Sequence, residues 1–95
     1  MAVYVIASLT IKDAVQFEDY KRTVLPTMEK YGERFIARGS RVDILEGDWP
    51  HERLVIAEFP SVERAREWWA SPEYAEPKAL RQATAESDLV IFQGG

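Results

Sequence analysis

The 95-residue sequence predicts an α+β fold with the element order strand, helix, strand, strand, helix, strand. Three observations predict it. The chain opens on an alternating strand pattern, Val3 to Ile11. The stretch Arg53 to Tyr74, RLVIAEFPSVERAREWWASPEY, joins a buried strand to an aromatic-rich helix and organises everything around it. A last apolar run, Leu89 to Phe92, supplies a closing strand. The simplest compact solution for this order is a ferredoxin-like βαββαβ sandwich, an antiparallel sheet with helices on one face.

In the first strand Val3, Val5, Ala7, Leu9 and Ile11 alternate with Tyr4, Ile6, Ser8 and Thr10. One face is wholly apolar and the other begins apolar and turns polar, which is the pattern of a central strand. Asp13 then caps a helix carrying Phe17, Tyr20, Val24, Met28 and Tyr31 on one stripe. Pro26 removes an amide donor and restrains Leu25, which predicts a kink or a brief restart. Gly32 ends the helix in the left-handed conformation. From Arg34 to Leu45 the chain reads as a broken strand, with a bulge or bend at Gly39 and Ser40. Gly47 to Glu52 supplies turn residues and predicts a hairpin in which Glu46 meets Arg53, Ile44 meets Val55, Val42 meets Ala57 and Arg41 meets Glu58.

Leu54 to Ala57 is too short for a helix and is closed by Pro60, so it reads as a strand apolar on both faces. Ser61 caps the next helix and Glu63 sits where the helix dipole favours negative charge. Val62, Ala65 and Trp69 give the expected buried stripe, with Trp68 on its shoulder and Arg64, Arg66 and Glu67 facing water. Ser71 is a second cap and Pro72 occupies the first helical position. Pro77 is expected to disturb a continuous helix from Pro72 to Ala83. Ser87 and Asp88 lead into the last strand, which Gly94 and Gly95 end.

Ninety-five residues make one domain, residues 1–95, with one core. The net charge of -4 and pI near 5.0, with basic residues scattered, argue against nucleic acid or an anionic membrane as partner. The absence of cysteine excludes a disulfide framework and suits a reducing cytoplasm. The start lacks a basic flank before its apolar run and reads as a strand, so no signal peptide is expected. No stretch approaches the ~20 apolar residues of a membrane span.

A sheet apolar on both faces needs two covers, and the helices provide one. Tyr4, Ile6, Leu54 and Ile56 therefore predict a homodimer through the helix-free face. At this point the runs YGERFIARG, LEGDWPHERLVIAEFPS and WWASPEYAE, spread over nearly the whole chain, resemble the family known as domain of unknown function 1330. That family is placed in the dimeric α/β-barrel superfamily, so the resemblance implies a dimeric α/β barrel. It implies no activity. Where the family pattern has a second glycine, this chain has Glu33.

The chemistry is sparser. His51, the single histidine, sits among turn residues and reads as solvated, so neither a metal site nor haem is expected, and no cofactor is implied. Arg38, Arg41 and Glu58 stand out as charges on apolar strands. They form an ion pair at a strand end or dimer seam, or they line a cleft between sheet and helices. In the second case Arg38 holds a carboxylate, Tyr20 and Tyr74 add hydroxyls and Trp69 an apolar wall. Arg81 replaces Arg38 if a register change at Gly39 turns Arg38 to the other face. Helical aromatics also serve simply as core. Two functions remain open: a dimeric module binding a small organic acid or aromatic, and a cofactor-independent monooxygenase, isomerase or dehalogenase, the latter by analogy of fold. A protonatable group with a raised pKa in a closed pocket would distinguish them.

Overall fold

The computed structural model describes residues 2–94, so the predicted stop at Gly95 lies outside the described residues. Seven elements follow in order: β1 (Val3–Ile11), α1 (Ala14–Lys30), β2 (Arg34–Gly39), β3 (Arg53–Phe59), α2 (Val62–Ala70), α3 (Pro72–Thr84) and β4 (Ala85–Gln93). The strands form one antiparallel four-stranded sheet in the order β2-β3-β1-β4. This is the α+β sandwich that the sequence predicts. The barrel implied by the resemblance is not: the sheet is open, with β2 and β4 at its free edges. Four strands are too few to curl round on themselves, since a closed barrel with a filled interior takes about eight.

Val3, Val5 and Leu9 of β1 and Ala57 and Phe59 of β3 are buried on the helix side, against Phe17, Val24 and Met28 of α1, Ala65 and Trp68 of α2, and Tyr74 of α3. Asp13 caps α1 by accepting from the Gln16 amide, and Ser61 caps α2 by accepting from the Arg64 amide. Ser71 serves two helices: its hydroxyl donates to the Trp68 carbonyl at 2.8 Å and accepts from the Tyr74 amide at 3.1 Å. One serine thus makes the corner between α2 and α3.

Several local expectations are corrected. Pro26 and Pro77 lie inside α1 and α3, yet neither helix restarts, because Thr27, Met28 and Pro77 itself are buried and packing outweighs one lost ladder bond. In α2 the buried tryptophan is Trp68, at 3% exposure; Trp69 is 46% exposed, with the Lys78 ammonium 3.8 Å from its ring centroid. Strand β2 ends at Gly39, and residues 40–52 form no strand. The register accordingly pairs Arg34 with Glu58 and Arg38 with Val55. Arg41 does not reach Glu58; it lies 3.6 Å from Asp43 on the exposed loop.

The break in β2 falls at Ile36, between Phe35 and Ala37, rather than at Gly39. A bulge of one residue reverses every side chain beyond it. Phe35, opposite Ala57, and Arg38, opposite Val55, therefore share the helix-side face, and the Arg38 guanidinium lies 4.4 Å from the Phe35 ring centroid.

Candidate functional site

Between α1, α3 and the sheet lies a cavity of about 70 Å³ that touches both parts of the core. A single water needs ~10–15 Å³ by this kind of measure, so the space exceeds one solvent molecule. Its walls are apolar, with Phe17, Phe35, Val55 and Trp68 among them, and its polar members are Tyr20, Lys21, Glu33, Arg38, Arg53, Tyr74 and Arg81.

α1 brings Tyr20, and α3 brings Tyr74 and Arg81, which are seven residues, about two turns, apart on one face. The Tyr20 and Tyr74 hydroxyls are 3.0 Å apart, and Arg81 Nε donates to the Tyr74 hydroxyl at 3.2 Å. Arg81 also donates to the Ser87 hydroxyl. These bonds have a direction. Tyr74 is fully buried and, among the described residues, its hydroxyl has only those two partners; a guanidinium cannot accept, so the Tyr74 proton goes to Tyr20. The Tyr20 O–H is left over for the cavity. Burial, then the neighbouring Tyr74, hold the Tyr20 hydroxyl well above the ordinary phenol range, so it stays protonated.

Glu33 enters from the exit of α1. The Gly32 amide bonds to the Glu29 carbonyl at 3.3 Å and the Glu33 amide to the Met28 carbonyl at 2.9 Å, the paired bonds of a glycine-terminated helix. Gly32 has φ +76°, and a Cβ there would stand 3.0 Å from Pro60 Cγ, so glycine is required. The residue after such a glycine normally turns an apolar side chain back onto the helix. Here that side chain is a carboxyl. Its Oε1 is buried without a hydrogen-bond partner, and burial pushes its pKa up to about 8. The negative end of the α1 dipole acts in the same direction.

Arg53, at the start of β3, faces the same space, and its Nε is likewise buried without a partner. Neither Arg53 nor Arg81 forms an ion pair among the described residues. With Glu33 largely neutral at pH 7, the cleft presents mainly hydrogen-bond donors and uncompensated positive charge.

Of the residues singled out from the sequence, Tyr20, Arg38 and Tyr74 line this cavity and Glu58 and Trp69 do not. Glu58 projects from the opposite sheet face, where Arg34 binds it at 2.6 Å. Trp69 borders a separate groove beside β4, with Val90 and Ile91. Glu33 and Arg53 were missed. The available signal was an acidic residue directly after the glycine that stops α1, where an apolar one is usual. His51 is not a solvated turn residue: Thr10 Oγ1 lies 2.9 Å from its Nδ1 and Asp88 Oδ2 2.8 Å from its Nε2, which pins the loop to the helix-free side of the sheet. Among the described residues, no group of three or more His, Cys, Asp or Glu could hold a metal ion, and no helix is long and apolar enough to cross a membrane.

Residues 2–95 match the family described as a domain of unknown function (DUF1330). The chain belongs to this family. Among solved structures, a protein of unknown function from Rhodopseudomonas palustris, RPA0582, is 24% identical with a TM-score of 0.83, over 98% of this chain and 82% of that one. SnoaB, a cofactor-independent oxygenase from Streptomyces nogalater, is 17% identical with a TM-score of 0.70, over 99% and 93%. A dimeric protein of unknown function and ferredoxin-like fold from Bacteroides fragilis NCTC 9343 is 17% identical with a TM-score of 0.68, over 98% and 96%. At these identities the likeness is one of fold. No curated protein matches the sequence.

Proposed function

We propose that this DUF1330 protein is a homodimeric binding protein for a small organic acid with an apolar or aromatic body, held in the cleft between α1, α3 and the sheet. The observation that carries the reading is the set of unspent donors in an aromatic-walled cavity: Arg53 Nε, without a partner, and the Tyr20 O–H. A buried donor left unpaired costs ~1–3 kcal/mol, which a carboxylate bound there would recover. Arg38 at the rim and Arg81 behind Tyr74 add positive charge inside a chain of net charge -4, which favours an anion in the cleft over the surface around it. Titration calorimetry against benzoate, phenylpyruvate and pyruvate tests this. Binding of at least one is expected, weakened ~10-fold or more by Arg53→Met. Absence of binding by all three, or an Arg53→Met that binds as tightly as the wild type, would overturn the reading.

The helix-free face is the proposed dimer contact. Tyr4 stands opposite Phe92, and Ile6 lies between Ile56 and Val90, forming one apolar patch in which Val90 and Phe92 are 54% and 55% exposed. A second copy offers the self-complementary surface that two-fold pairing requires. The Bacteroides fragilis protein of similar fold is described as dimeric. Sedimentation at micromolar concentration should give a dimer, and Phe92→Glu a monomer; a wild-type monomer would refute the contact. A second reading, catalysis in the same cleft, is favoured by the raised pKa of Glu33. SnoaB, of similar fold, is a cofactor-independent oxygenase.

A further inference from the structure

We infer that the cleft is a proton-transfer site for small 2-oxo acids, in which Glu33 carries a proton to and from the carbon beside the carbonyl while Tyr20 holds the carbonyl oxygen. The inference rests on the reading that the cleft binds a small organic acid and adds to it a substrate class and a reaction.

The donors are already assigned by geometry. Arg53, with its free Nε, suits the carboxylate of such a ligand. The Tyr20 O–H, unused in the chain from Arg81 through Tyr74, suits the neighbouring carbonyl oxygen, and each link of that chain polarises the next. That leaves Glu33 as the one group lining the cavity that can both accept and deliver a proton near neutral pH. Its Oε1 is free of any hydrogen bond, so no existing partner must be displaced before it acts. A carboxyl with only a structural role would be expected to bond an arginine or a backbone amide. This one shares its cavity with three guanidinium groups and pairs with none of them.

The step balances without a co-reactant. Ionised Glu33 takes a proton from C3 of the bound acid. The C–H electron pair becomes the C2–C3 double bond, and the carbonyl π pair moves onto oxygen, where Tyr20 donates. Returning the proton to C3 restores the ketone; returning it to oxygen leaves the enol. In D2O the carboxyl exchanges with solvent, and deuterium enters at C3.

The charged and titratable groups facing Glu33 across the cavity are Tyr20 and Lys21 of α1, Arg38 of β2, Arg53 of β3, and Tyr74 and Arg81 of α3. Tyr20 stays neutral beyond pH 10. The base form of Glu33 therefore grows as pH rises toward about 8, and the rate should climb with it and then level off.

The experiment follows loss of the C3 proton signals of pyruvate and phenylpyruvate by NMR in D2O, beside calorimetric binding of the same compounds. The wild-type protein should exchange at least one of them ~100-fold faster than buffer, the lower end of what a positioned acid or base supplies. Glu33→Gln should fall to the buffer rate, lose the rise toward pH 8 and still bind within about threefold, since the amide keeps the size of the carboxyl. Glu33→Asp should retain part of the exchange. Binding with equal exchange in wild type and Glu33→Gln, or exchange with no change in pH profile, would overturn the inference and leave the binding reading standing. Absence of binding and of exchange would overturn both.

Discussion

Replacing Trp68 by alanine is expected to destabilise the protein by about 3–5 kcal/mol, the range for deleting a large buried ring. Trp68 is 3% exposed and its ring meets Phe59 at 5.4 Å and Tyr74 at 4.0 Å between centroids. Its indole N–H donates to the Thr27 hydroxyl at 3.1 Å, and Thr27 in turn donates to the Val24 carbonyl. Alanine would therefore open a cavity where α1, α2 and α3 meet and leave the Thr27 oxygen one partner short. Trp68→Phe keeps most of the volume and should cost roughly 1–2 kcal/mol, mainly the lost hydrogen bond and incomplete filling. The adjacent Trp69→Ala should cost no more than about 1 kcal/mol, since its ring is about half in water, with the Lys78 ammonium over its face. Urea denaturation of the three variants checks the order. A Trp69→Ala loss as large as that of Trp68→Ala would mean that α2 is rotated by one residue from its observed phase.

That phase was ambiguous in the sequence for a physical reason. From Val62 and Ala65, the next buried position on a helix is three or four residues on, and both are tryptophan. Only the neighbours decide: Phe59, Thr27 and Tyr74 converge on Trp68, and they come from other elements. The elements themselves were legible because they depend on local patterns, namely the alternation in β1 and the serine caps of α2 and α3. The hairpin register was not. Residues 42–45 carry an apolar pattern with no strand beneath it; Ile44 and Leu45 are 54% and 95% exposed. The bulge at Ile36, which turns Arg38 inward, contains no glycine to announce it. Tyr20, Arg38 and Tyr74 were reached because aromatic hydroxyls and a strand arginine are unusual on buried faces. Glu33 was hidden because its burial comes from a backbone turn, and no periodicity in the chain describes that turn.

Glu33 should also leave its mark on stability. Its pKa is raised from 4.5 to about 8 in the folded protein by burial, whereas the unfolded chain titrates near the ordinary value. Between those two values the unfolded state has given up its proton and the folded state has kept it, so unfolding releases a proton and stability falls as pH rises. Below pH 4.5 both states are neutral and above about 8 both are charged, so the slope vanishes outside that window. At ~1.36 kcal/mol per unit, reduced for the partial access of water, the loss across the window is about 2–4 kcal/mol. Glu33→Gln removes the titration and keeps the shape. The variant should therefore match the wild type to within about 1 kcal/mol near pH 4.5 and exceed it by about 2–4 kcal/mol at pH 9. Glu73 and Glu86 have pKa values lowered by Lys30 and Lys12, so they lose their contribution only as pH falls below this window, and both proteins contain them. Tyr20 titrates above it. The difference between the two urea-unfolding curves against pH thus isolates one carboxyl. Parallel curves from pH 4.5 to 9 would mean that Glu33 is solvated in the folded protein, which would also remove it as the proton carrier of the cleft.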